Sequence, residues 1–150
     1  SAQQGVGAPP AEVIEPEEEE AMKALESGDF ATAQAAYKKL LARKPQDVYA
    51  KLGLAQTELF IRTAGLHPET TKAAAQKDPL DVAAAMACAD MEIISGEVQP
   101  AFDRLLHCVR NCSDDAKKQA KDHLLALFAL VDPADPRLIK ARSDLANALF

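Results

Sequence analysis

The stretch from Gly28 to Pro45 leaves this chain few folds to choose from. Gly28 has no Cβ and can take the left-handed conformation that ends one helix, while Asp29 behind it can cap the next. Ala33 is small enough to let two helix backbones approach closely. Tyr37, one turn further on, fills the groove between them, and Pro45 closes the unit. The building block is therefore a helix, a tight turn and an antiparallel second helix.

A block of this kind is expected to recur with a period of about 34 residues. Pro79 lies one period after Pro45, and Gly96 lies two periods after Gly28. Around Gly96, Ala101 takes the small position, Leu105 the aromatic position and Cys108 the place of Leu40. The middle unit keeps its closing proline but would put Arg62 at the turn, so its second helix is expected to be degenerate or displaced. In these residues the chain resembles the tetratricopeptide repeat. The resemblance implies an all-α, right-handed array of antiparallel helix pairs, about eight helices in all, with a degenerate middle repeat.

The 150 residues suffice for a substantial core, and 48% of them are hydrophobic although only 5% are aromatic. The core must then be built from Ala, Leu, Val and Ile at close helix spacing. The formal charge of −6 is unevenly placed, because residues 1–30 carry −7 and the remainder +1. An acidic front and a near-neutral body lack the basic footprint that nucleic acid requires. The longest apolar runs fall short of the ~20 residues that span a bilayer, so no membrane role is expected. Three cysteines and no secretory leader point to a cytoplasmic setting, and the opening at Ser1-Ala2 without Met suggests a piece of a longer protein.

Residues 1–14 mix Gly, Pro and Gln without periodicity and are expected to form a flexible linker, with residues 15–150 as the helical domain. A first helix should begin at Pro16, with Glu17 to Glu20 at its positive end. That acidic run is either a solvated helix start or a docking patch for a basic partner. Further helices are expected over Phe30–Arg43, Gln46–Arg62, Pro68–Gln76 and Leu80–Ser95, then one from Glu97, one capped by Ser113 and one over Pro136–Leu149. In the third of these Val48, Leu52, Ala55, Leu59 and Phe60 form an apolar face, read as core.

Catalytic and cofactor signatures are missing: there is no Gly-rich phosphate loop, no nucleophile elbow, no Cys-x-x-Cys and no paired carboxylates. The chain is read as non-enzymatic and without a cofactor. The one cluster suggesting a site is His107, Cys108 and Cys112, with His123 on the next helix. A thiol- or metal-dependent protein is the alternative reading. A Cys-x3-Cys spacing inside a continuous helix lacks the loop by which zinc sites converge their thiolates, and Cys108 falls on a core position.

A second resemblance covers nearly all of residues 15–150. The segment Asp81 to Ile94, the turn at Gly96, the run Leu127-Phe128-Ala129-Leu130 and the ending from Asp135 to Phe150 are similar to the tetratricopeptide tail of bacterial thioredoxin-like chaperedoxins, or co-chaperonins. It implies protein partners, namely unfolded clients and a chaperonin, and a thioredoxin domain preceding this region in the natural protein. Tetratricopeptide clamps for C-terminal carboxylates use Lys and Asn on their inner helices. The corresponding positions here are Glu18, Met22, Gly53 and Gln56, which make an acidic and apolar lining. The final helix shows Leu138, Leu145 and Leu149 on one stripe, expected to pack on the helix before it. Ile139, Ala146 and Phe150 form an adjacent stripe flanked by Arg137, Lys140 and Arg142. An end cap should show a polar outer face, so this second stripe is either a partner surface or packs internally with the first, Phe150 closing the core. The chaperedoxin resemblance favours the partner surface, with Met22 and Gln56 on the inner helices as further candidates.

Overall fold

The computed structural model describes residues 13–150. Residues 1–12 of the expected linker lie outside them, and Val13 and Ile14 are exposed ahead of the first helix. Among the described residues there are eight helices and no strand: α1 (Pro16–Glu26), α2 (Phe30–Arg43), α3 (Val48–Thr63), α4 (Pro68–Lys77), α5 (Val82–Ile94), α6 (Val98–Asn111), α7 (Asp114–Phe128) and α8 (Pro136–Leu149). The all-α repeat array is thus present. None of the described helices is long and apolar enough to cross a membrane.

The turn chemistry works as the residue types require. Gly28 sits at φ +76° between α1 and α2, and the Asp29 side chain accepts from the Thr32 amide at 3.1 Å. In the middle unit the left-handed glycine is Gly65, three residues past the position of Arg62. The damaged repeat is therefore displaced by nearly one helical turn, α3 runs on through Arg62, and that side chain is free for another task. Ser113 precedes α7 but makes no capping bond through its hydroxyl, and α7 ends at Phe128, before Val131.

Two apolar cores hold the array. Ala21, Ala24, Ala33, Ala36, Tyr37, Leu40 and Ala50 join α1, α2 and α3, while a larger core joins α5 to α8 around Phe102, Leu105, Leu106, Leu124, Leu127 and Leu138. Phe102 meets Phe128 edge to face at 5.1 Å. The expectation that α8 packs on α7 needs correction. Leu138, Ala141 and Leu145 join the core in which α8 meets α6, and a groove that Leu145 also lines opens between α7 and α8.

The face assignment of α3 holds for Leu59, which is buried, but fails for Val48, Leu52 and Phe60. The buried side of α3 is made of Ala50, Gly53, Thr57 and Leu59, whereas Val48 is 73% exposed and Leu52 and Phe60 are exposed as well. The ring of Tyr37 lies flush against Gly53, where an added Cβ would come within 2.3 Å of it, so only the smallest residue lets α2 and α3 meet. The stripe of Val48, Leu52 and Phe60 is real, but it faces outward.

Between the two cores lies a polar joint. Asp90 on α5, 2% exposed, accepts from Arg62 Nε at 2.9 Å and Arg62 Nη2 at 3.1 Å. It also accepts from His123 Nε2 at 2.7 Å. One carboxylate thereby ties α3, α5 and α7 together. Burial pushes the Asp90 carboxyl upward, but the hydrogen bonds from His123 and Arg62 outweigh it and hold it below the usual carboxylate range.

Candidate functional site

The outward stripe of α3, the end of α7 and one side of α8 surround three adjoining apolar grooves. The first, about 480 Å³, lies between α7 and α8 and is walled by Leu125, Phe128, Leu145, Ala146, Leu149 and Phe150, with Arg142 at its edge. A second, about 470 Å³, runs from Val48 and Leu52 on α3 to Phe128, Leu130 and Val131. The third, about 210 Å³, continues along α3 past Leu54 and Ala55 to Ala126 and Ala129 on α7. Ala129 lines all three, and Phe128 and Arg142 are shared by the first two. The result is one mainly apolar surface edged by the charged side chains of Lys51, Glu58, Arg62, Asp132 and Arg142, an apolar recess with a few polar groups of the kind that serves recognition.

The residues singled out in the sequence fall into three groups. Arg142, Ala146 and Phe150 line the α7–α8 groove. Ile139 is 57% exposed on α8 but is not in its wall, and Arg137 and Lys140 are engaged on α8 itself, with Asp135 and Asp144. Met22 lies elsewhere, in a groove with Val13, Ile14, Glu18, Lys44 and Tyr49, and Gln56 is exposed on α3. The structure therefore does not gather all eight into one site. Val48 and Leu52 were missed as surface residues, because an apolar stripe reads the same in sequence whether a core or a partner covers it.

Part of the acidic start of α1 is engaged by the end of α2. Glu15 and Glu17 bind Arg43 at 2.7 and 2.8 Å, and Glu15 also pairs with Lys44. These hydrogen bonds from Arg43 lead in holding both carboxyls below their ordinary range. Glu17 thus ties α1 to the end of α2, which a solvated helix start would not do.

The thiol of Cys108 is not placed to react. Cys108 is buried, and burial foremost pushes its thiol up to about 11, so it stays protonated at neutral pH. His107 turns to Asn111 on its own helix, and His123 is committed to Asp90. Among the described residues, no three His, Cys, Asp or Glu side chains converge as a metal site would require.

Comparison with known proteins agrees with this architecture. Residues 61–150 match a family model described as tetratricopeptide repeat. Over 137 residues, 91% of the chain, the sequence is 36% identical to an uncharacterized protein of Mycobacterium bovis and to uncharacterized proteins of two Mycobacterium tuberculosis strains. The chain spans 45% of the length of these relatives. No solved structure matches it.

Proposed function

The chain belongs to the tetratricopeptide repeat family, and from that premise we propose that residues 15–150 are the non-catalytic, protein-binding module of a thioredoxin-like chaperone, which holds unfolded clients and engages a chaperonin. The observation that carries the reading is the continuous apolar surface of α3, α7 and α8. Leu125, 49% exposed, and a fully exposed Phe150 both line this surface, a costly display unless a partner covers it. The repeat family supports protein partners in general. The chaperone role rests on the likeness of the segments from Asp81 onward to the chaperedoxin tail.

Leu125→Glu and deletion of Phe150 test it. Both side chains are exposed, so thermal unfolding should stay close to that of the parent protein. Capture of reduced, unfolded lysozyme, read by suppressed light scattering, and co-sedimentation with a purified chaperonin should both fall. Parent-level capture by both variants would overturn the assignment of this surface.

A further inference from the structure

The groove between α3 and the α7–α8 junction carries charge as well as apolar area. Lys51 from the α3 wall and Arg142 from the α8 wall line the same 470 Å³ space, with Val48, Leu52, Phe128 and Val131 between them. Lys51 Nζ donates to Gln46 Oε1 at 3.0 Å, and among the described residues neither cation is in an ion pair. Asp132 on the rim accepts from the Ala134 amide at 2.8 Å and keeps its charge, so the lining carries two cations against one carboxylate. Arg137 and Lys140 on the same helix as Arg142 each have a carboxylate partner, which makes Arg142 the odd cation of α8.

Resting on the protein-binding reading above, we propose that this groove takes a partner segment in which apolar side chains are flanked by Asp or Glu, the carboxylates lying against Lys51 and Arg142. Charge complementarity makes the choice. Apolar contact alone would accept any hydrophobic segment, whereas two cations on opposite walls over an apolar floor favour an acidic one and repel a basic one. The same charges disfavour the α8 of a second copy as occupant, because its exposed stripe is flanked by Arg137, Lys140 and Arg142.

A cellulose-bound array of short segments tiling unrelated proteins, probed with the purified chain, reads this directly. Expected is enrichment of segments holding apolar residues beside Asp or Glu. The enriched segments, resynthesised with Gln in place of the acids, should bind about tenfold more weakly in fluorescence anisotropy, as two partly shielded ion pairs would account for. Lys51→Glu with Arg142→Glu should invert the preference, and the circular dichroism melting curve should not move, since both side chains are exposed. Selection of apolar segments regardless of charge, or an unchanged preference in the double variant, would overturn the proposal while leaving the binding module standing. An array with no bound segments would overturn the protein-binding reading itself. Self-association on a sizing column that Arg142→Glu abolishes would name a second copy as the occupant and overturn the acidic-segment proposal.

Discussion

Gly53 and Tyr37 set how closely the first three helices can pack. With the Tyr37 ring flush against Gly53, a methyl group must displace a buried ring held between α2 and α3. Gly53→Ala gains helix propensity worth about 1 kcal/mol, yet overpacking of this kind costs about 1–3 kcal/mol. Net destabilisation is expected in denaturant melts, and Tyr37→Leu in the Gly53→Ala background should cost less than it does alone. Asp90 is the other residue on which much depends. Its carboxyl is held below the ordinary range, so it contributes stability that is complete above the unfolded carboxylate's titration and is lost as pH falls through the native one. Asp90→Asn should lower stability by about 1–3 kcal/mol at neutral pH. The gap between variant and parent should shrink in urea melts taken at progressively more acid pH.

At the scale of the helix, α3 shows what periodicity can and cannot say. The turns at Gly28 and Gly96, the span of α2, the start of α1 and the displaced middle repeat were all legible, because each depends on local chemistry: a left-handed glycine, a capping Asp, a proline at the first helical position. The stripe of Val48, Leu52 and Phe60 was legible as apolar but was given to the wrong side. The buried side of α3 is nearly free of large residues, since Tyr37 supplies the bulk from the neighbouring helix. The same gap in information sent α8 to α7, because an amphipathic face does not name what it meets. Two measurements test the corrected assignment. Val48→Ser and Leu52→Ser together should change thermal stability little, within about 1 kcal/mol, as surface changes do. Leu59→Ala and Leu138→Ala should each cost about 2–5 kcal/mol, as buried leucines do. If Leu52→Ser destabilised as much as Leu59→Ala, the outward orientation of the stripe would be refuted.

Across the whole molecule, the two cores should melt as unequal partners. The α1–α3 core is built mainly of alanines around Tyr37 and Leu40, and the α5–α8 core holds two phenylalanines and six buried leucines. Hydrogen exchange should therefore show lower protection in α1 to α3 than in α6 and α7, and Asp90→Asn should widen that difference or split the thermal transition in two. A single sharp transition with uniform protection in the variant would show that the cores are coupled without the joint. The two walls of the acidic-segment groove belong to different cores: α3 carries Val48 and Leu52, and the α7–α8 end carries Phe128 and Arg142. Arg62, Asp90 and His123 form the joint that sets how far apart the two walls stand, as the pin of a pair of jaws does. The gape of such jaws is a matter of leverage, so a change at the pin could retune which segments fit without altering any atom that touches them.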